Sequence, residues 1–410
     1  MKILIVNKFL YPNGGSETYI FELGKELIRQ GHEVQYFGME HPDRVVGNNA
    51  NAYTTNMDFH GGSKLAKVTA PFKIIYSSEA RRQIRKVLEN FRPDVVHLNN
   101  INFQITPSIL YEIKKFDKRI KIISTIHDPQ WVCPNHTLIN GCTHEGCDKC
   151  FGGNYISCVK DNCIHGSKVR SILGAVEAFY YRKRHTYKNV DLIICPSNFM
   201  KQTMDVNPDL QGRTVMLRNF IKVDLPSVDE KDVFLREKNL DSKRYALYFG
   251  RYSEEKGIRT LIQVAKELPE IQFVFAGTGP SENDVNAVDN IINMGFVTGK
   301  NLYSLISGAQ FTLIASECYE NCPFTVMEST MCGTPIIGAK IGGIPELISA
   351  EENMIGGLFK SGDVDDLKQK IIQLWSDEET IAVMKNNCKL YEYDSVDQYV
   401  NKYTDLIKAL

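Results

Sequence analysis

Ten short apolar runs punctuate the chain: "KILIV", "EVQYF", "DVVHL", "KIISTI", "DLIIC" and "VMLRN", then "ALYFG", "FVFAG", "FTLIA" and "PIIGA". Between them lie longer stretches with apolar residues at helical spacing. Runs that are apolar on both faces and joined by helices predict parallel strands covered on both sides. The pattern therefore predicts an α/β fold of two doubly wound, Rossmann-like domains. Residues 219–250 are charged, contain Pro226 and separate the sixth run from the seventh, so the seam is expected there. The expected domains are 1–220 and 221–394. A final helical stretch, 395–410, follows the "YEYD" break and is expected to cross back to the first domain.

Composition fits this division. A chain of 410 residues with 43% hydrophobic residues exceeds what one core usually holds. Residues 1–220 carry 29 Lys and Arg against 20 Asp and Glu, net +9, whereas residues 221–410 carry 19 against 29, net −10. The first half is thus expected to meet something anionic and the second half not. No apolar run reaches the length of a membrane span, and the apolar part of "MKILIVNKF" is short for a signal peptide. A cytoplasmic protein is the expectation, with peripheral contact at the inner face of the cell membrane in view. Six of the eleven cysteines fall between Cys133 and Cys163, which suits a reducing compartment and a metal site better than a disulfide framework.

Four motifs occur in order along the chain: "YPNGGSETYIFELGKELIRQGHEV", "FGRYSEEKGIRTLIQVAKEL", "FVFAGTGP" and "ENCPFTVMESTMCGTPIIGAKIGGIPELI". Together they resemble the retaining nucleotide-sugar glycosyltransferases of family four, of the GT-B fold, in which two Rossmann-like domains face a cleft. Among these the chain is similar to bacterial enzymes that build capsule, exopolysaccharide or lipopolysaccharide. The resemblance implies a donor bound mainly on the second domain and an acceptor entering over the first.

In the fourth motif Pro323 suits a helix start and Gly333 its end, predicting a helix from about Pro323 to Cys332. The amides of Phe324 and Thr325 then lack intrahelical acceptors, and with the helix dipole they suit an anion such as a diphosphate. The resemblance implies that Glu328, a turn deeper, accepts hydrogen bonds from the ribose hydroxyls and that Glu320 touches the transferred sugar. Without it, both read equally well as acidic residues near a helix start. The segment Asn321, Cys322, Pro323, Phe324 and Thr325 belongs to the expected donor site; the family's usual glycine is here Asn321, with Cys322 after it, so the sugar contacts should differ. Arg251 and Lys256 follow a strand end, where open α/β sheets bind ligands. They can neutralise a departing diphosphate without a catalytic metal, and the resemblance implies that role; alone, the loop also reads as a surface turn with local ion pairs. Gly277 and Gly279 allow backbone near the nucleotide. Phe296 lies in "MGFV", similar to the segment whose backbone holds the base.

On the first domain, Gly14 and Gly15 sit between the first strand and a helix that Ser16 could cap. No G-x-G-x-x-G fingerprint is present. His127 and Asp128 end another strand at the same edge, and the resemblance implies that His127 contacts the donor sugar. In the insertion 133–165, Cys147 and Cys150 form C-x-x-C, and Cys158 and Cys163 supply a second pair, enough thiolates for a tetrahedral structural zinc. Free thiols are the alternative; Cys142 and His144 are spare candidates. The basic, partly aromatic stretches 64–88 and 168–188 suit either water or anionic lipid headgroups. No nucleic-acid motif accompanies them.

The function expected is a retaining hexosyltransferase acting on a nucleotide-sugar donor and a saccharide or lipid-linked saccharide acceptor. With no first-domain carboxylate placed as an obvious nucleophile, same-face attack is preferred to double displacement. The alternatives are a sugar-nucleotide epimerase on the same fold and a catalytically silent partner of another transferase.

Overall fold

The computed structural model describes residues 1–56, 74–143, 145–348 and 354–410. The chain divides into two compact units, Met1–Asn219 with Val396–Leu410, and Phe220–Ser395. Part of the basic stretch 64–88 and His144 lie outside the described residues.

The first unit is built on a parallel sheet of β1 (Lys2–Val6), β2 (Glu33–Phe37), β3 (Val95–Leu98), β4 (Lys121–Thr125), β5 (Leu192–Cys195) and β6 (Thr214–Met216). Their order is β2-β1-β3-β4-β5-β6. Every residue of β3 and β5 is buried, as expected of strands with helices on both faces. The helices are α1 (Gly15–Arg29), α2 (Ser78–Phe91), α3 (Ile109–Phe116), α4 (Ile156–Lys160), α5 (Lys168–Lys183) and α6 (Asn198–Asp205). In α2, Ser77 accepts a hydrogen bond from the Ala80 amide at 3.0 Å and starts the helix. Its apolar face, Ala80, Ile84, Val87, Leu88 and Phe91, is buried at helical spacing.

The second unit repeats the design with β7 (Ala246–Phe249), β8 (Phe273–Ala276), β9 (Ile291–Asn293), β10 (Phe311–Ile314), β11 (Ile336–Ala339) and β12 (Gly356–Phe359). The order β12-β11-β10-β7-β8-β9 is again wholly parallel. Its helices are α7 (Val228–Glu237), α8 (Ile258–Glu267), α9 (Glu282–Asn286), α10 (Gly299–Gly308), α11 (Phe324–Met331), α12 (Ile344–Ile348), α13 (Val364–Ser376) and α14 (Glu378–Leu390). All ten apolar runs are strands. The two strands the pattern did not predict, β9 and β12, are the sheet edges, and each has residues that are only half-buried. An edge strand covered less fully needs no continuous apolar run.

The last helix, α15 (Val396–Lys408), packs against α1 in the first unit. A buried polar chain ties it to the sheet: Tyr399 to Tyr19 at 2.7 Å, Tyr19 to Thr125 at 3.1 Å, Thr125 to His97 Nε2 at 2.9 Å, and His97 Nδ1 to Tyr403 at 3.1 Å. Both His97 nitrogens are thereby matched in a site with no access to water.

Candidate active site

In the second unit the chain runs from β7 outward through β8 to β9, then returns to place β10 on the other side of β7. The loops after β7 and β10 therefore flank a topological switch point, where open α/β sheets bind ligands. These loops are locked together. The Glu317 amide donates to the Glu255 carbonyl at 3.0 Å, and the Thr260 hydroxyl donates to the Glu317 carboxylate at 2.6 Å. Gly257 has φ +71°, and a Cβ there would stand 1.9 Å from the Ala315 carbonyl oxygen. At Gly277 a Cβ would meet the Gly250 carbonyl oxygen at 1.9 Å, so the loop after β8 closes on the same turn. Gly279 packs its backbone on Tyr252 in the same way.

Lys256 reaches across this junction. Its Nζ lies 2.5 Å from Glu320 Oε1, which also accepts from the Ser316 hydroxyl at 2.8 Å. Burial opposes the ammonium's charge, but the Glu320 carboxylate outweighs it and holds the Lys256 pKa above its ordinary value. Arg251 is exposed on the same loop, and its side chain has no ion-pair partner among the described residues. Ser253, between them, has a buried hydroxyl without a hydrogen-bond partner among the described residues.

Helix α11 begins one residue later than predicted, with Pro323 as its cap and no side chain capping it. The amides of Phe324 and Thr325 are thus left for a ligand or water. Gly342, at φ +59°, lets the loop after β11 approach the Glu320 backbone, whose carbonyl accepts from the Gly343 amide at 2.8 Å. Glu328 is half-buried and its carboxylate has no hydrogen-bond partner among the described residues. Burial pushes its pKa up to about 7. Cys322 is placed otherwise than its neighbours. Its thiol is buried in the core against Met327, so only its backbone can face a ligand. Asn321 is half-buried, and Phe296 is exposed beside Gly295, whose φ is +64°.

In the first unit, Gly14 caps α1 in extended conformation without a side-chain hydrogen bond. Ser16 does not cap the helix. It lies inside the first turn, where its hydroxyl donates to Glu17 at 3.0 Å and accepts from Asn100 at 3.0 Å. Glu17 is buried behind the Gly14–Gly15 turn and also accepts from Asn7 at 2.8 Å. His127 follows β4, and its Nε2 lies 2.9 Å from the Asn99 amide oxygen. With Nε2–H donating to that oxygen, Nδ1 is left as an acceptor. Burial depresses the His127 pKa to about 4, so the ring is neutral at physiological pH. Asp128 accepts from the Gln130 amide at 3.0 Å.

The cysteines Cys147, Cys150, Cys158 and Cys163 line one small cavity of about 10 Å³, room for a single water-sized sphere. Cys133, which the spacing argument left out, lines it too. Cys142 does not; its thiol is exposed and directed at the Asp161 carbonyl at 3.2 Å. Among the described residues no three His, Cys, Asp or Glu side chains already stand in a metal-holding arrangement. Cys150 and Cys158, with Cys163 packed against them, belong to a small apolar cluster with Tyr155 and Ile164.

The sequence analysis missed Ser316, Thr260, Ser253 and Asn99. For Asn99 a signal existed, since it stands at the carboxyl end of β3 as His127 does for β4. Ser316 orients Glu320 from a position with no motif of its own, whereas Ser253 and Thr260 lie within the second motif as side chains that nothing in the spacing singles out.

Residues 13–224 match the family described as "Glycosyltransferase Family 4", and residues 230–391 match "Glycosyl transferases group 1". The chain is 23% identical over 436 residues to the N-acetyl-alpha-D-glucosaminyl L-malate synthase of Bacillus anthracis, covering 97% of this chain and 96% of that one. Its fold is similar to that of Anabaena Alr3699/HepE in complex with UDP (TM-score 0.68, 16% identity) and to WaaG, a glycosyltransferase involved in lipopolysaccharide biosynthesis (TM-score 0.68, 12% identity), each covering all of both chains. The architecture is that of the GT-B glycosyltransferases. With both family signatures laid in order along its two units, the chain belongs to Glycosyltransferase Family 4.

Proposed function

We propose that this protein is a retaining hexosyltransferase that moves a sugar from a nucleotide-diphosphate donor to a hydroxyl of a growing, lipid-linked saccharide in cell-surface polysaccharide synthesis. The observation that carries the reading is the junction of Lys256 and Glu320 at the switch point, beside the uncapped start of α11. The UDP complex of the Anabaena neighbour and the lipopolysaccharide role named for WaaG support the donor class and the pathway class.

In this reading the diphosphate lies against the amides of Phe324 and Thr325, with Arg251 and Lys256 as its counter-charges. As the bond from the anomeric carbon to the phosphate oxygen breaks, negative charge grows on that oxygen. A fixed cation there stabilises the transition state more than the ground state. The Glu328 carboxylate accepts from the ribose hydroxyls, and Gly277, Gly279 and the Phe296 backbone flank the nucleotide. On the first unit, the bare Nδ1 of His127 accepts from a sugar hydroxyl, and Gly14 and Gly15 admit the donor close to the backbone. The acceptor attacks the face the phosphate leaves, and its proton passes to the phosphate oxygen. Glu17 is sequestered by Asn7 and Ser16 and does not serve as a nucleophile in this scheme. An epimerase or a silent partner is less well supported, because the chain belongs to a transferase family and keeps Arg251, Lys256 and Glu328.

We further assign a structural zinc to Cys147, Cys150, Cys158 and Cys163, supported by their lining one small cavity together. It would brace the insertion and take no part in the reaction. The proposed activity is tested by incubating the protein with UDP-, GDP- and ADP-sugars and following release of the nucleoside diphosphate. Release from one donor, lost in Lys256→Ala, is the expected result.

A further inference from the structure

We propose that the outer face of α5, with Val169, Ile172, Val176 and Phe179 at its centre, docks on an anionic lipid surface. The lipid-linked acceptor of the proposed function gives this docking its purpose. These four residues stand at helical spacing, so about 100° per residue places them in one narrow stripe. They are 67%, 42%, 46% and 56% exposed, and Ile156 on the adjoining α4 is 65% exposed. Apolar side chains scattered singly on a surface need no explanation, but a continuous stripe along a four-turn helix does.

The opposite face explains how the stripe is held outward. Ser171, Gly174, Ala175 and Ala178 are small and buried, and they bring α5 close to the cysteine-lined module. A Cβ at Gly174 would stand 2.4 Å from Ile164 Cδ1, so a larger residue there would push the helix away. The one acidic residue of α5, Glu177, is also on the buried side, 2% exposed and bonded to Asn102 at 3.1 Å. Among the described residues, the only charged groups beside the stripe are cations: Lys168 and Lys183 are exposed along it, with Arg184 just beyond the helix and Lys160 on α4. Lys183 sits over the Phe179 ring at 5.9 Å.

An apolar stripe bordered by Lys and Arg, with no exposed acid, is the pattern of a helix lying in a lipid interface. It fits a second copy of the chain poorly, because pairing two such faces would bring their cations together.

The test is flotation of the full chain with vesicles of neutral lipid and of neutral lipid containing an anionic phospholipid, at low and high salt. The expected result is binding to the anionic vesicles, weakened at least tenfold by high salt. A Val176→Ser, Phe179→Ser double variant and a Lys160→Ser, Lys168→Ser, Lys183→Ser triple variant should each weaken it at least tenfold. Thermal melts should stay unchanged, since all five side chains are exposed. Equal binding to both vesicle types, binding to neither, or binding untouched by the variants overturns the proposal. So does a concentration-dependent dimer abolished by the double variant, which would make the face an interface between copies. Vesicle binding without nucleotide-sugar turnover would sustain this inference while overturning the proposed function, so the two fail separately.

Discussion

Lys256 Nζ and Glu320 Oε1 lie 2.5 Å apart, joining the loops after β7 and β10. The cation proposed to meet the leaving phosphate is therefore positioned by the carboxylate proposed to meet the sugar. If the charge on Lys256 supports the departing phosphate, Lys256→Ala should lower turnover by about two orders of magnitude or more, equivalent to roughly 3 kcal/mol of transition-state stabilisation. Glu320→Gln should keep the fold and nucleotide binding but reduce turnover. Steady-state kinetics beside nucleotide titrations would check both, and an unchanged kcat in Lys256→Ala would remove this pair from the reaction.

Glu328 ties nucleotide affinity to pH. Its pKa is raised by burial to about 7, so the folded protein holds a proton there that an unfolded glutamate releases well below neutrality. Stability from this group is present at low pH and is lost as pH rises toward 7. Ribose hydroxyls need the ionised acceptor, so nucleotide affinity should strengthen as pH rises through about 7, with proton release on binding. In Glu328→Gln the pH dependence should flatten, affinity should fall, and stability at pH 8 should rise relative to the parent. Calorimetry in buffers of different ionisation enthalpy reads the proton directly; a parent protein with no pH dependence would contradict the assignment.

The cysteine module should carry about one zinc per chain when the protein is purified without chelator. Removing it should speed hydrogen exchange across residues 133–165 and leave nucleotide binding largely intact. Metal analysis near zero would leave these cysteines as a cluster of buried and half-buried thiols.

The C-terminal helix is held to the sheet by the buried polar chain through Tyr399, Tyr19, Thr125, His97 and Tyr403. Tyr403→Phe removes the hydroxyl at 3.1 Å from the buried His97 Nδ1 and should destabilise the fold by about 1–3 kcal/mol. Asp397→Ala removes only exposed contacts, the pair with Arg29 at 2.7 Å and hydrogen bonds from Gln30 at 3.2 Å and Asn401 at 3.4 Å, and should cost less than about 1 kcal/mol. Urea unfolding of the two variants distinguishes these cases.

Much of the fold was legible because buried parallel strands must be apolar on both faces, which left ten runs in plain view. The edges β9 and β12 escaped because "IIN" and "GGLF" are short and partly uncovered. The places of Arg251, Lys256, Pro323 and His127, at strand ends and a helix start, could be read from the pattern, while the roles proposed for Arg251, Lys256 and His127 rest on the family resemblance. Ser16 was misread because a serine after two glycines looks like a cap, whereas Gly14 takes the cap position and Ser16 is drawn to Glu17 and Asn100. Cys322 looked like part of the donor loop, yet its apolar thiol is better placed in the core. Asn99 on His127 joins the loops after two different strands, β3 and β4, so no local spacing announces that pair; Ser316 stands four residues before Glu320 in the loop after β10, where a serine carries no signal of its own.

The most direct measurement of the central claim is NMR of the sugar released from a donor panel, observed before the free anomers equilibrate. The account predicts that one nucleotide sugar is slowly hydrolysed, that its sugar appears first with the donor's own anomeric configuration, and that Lys256→Ala abolishes the signal. Release of the inverted anomer would contradict the retaining mechanism. No release from any UDP-, GDP- or ADP-sugar, with or without saccharide acceptors, would contradict the assignment of this site to sugar transfer.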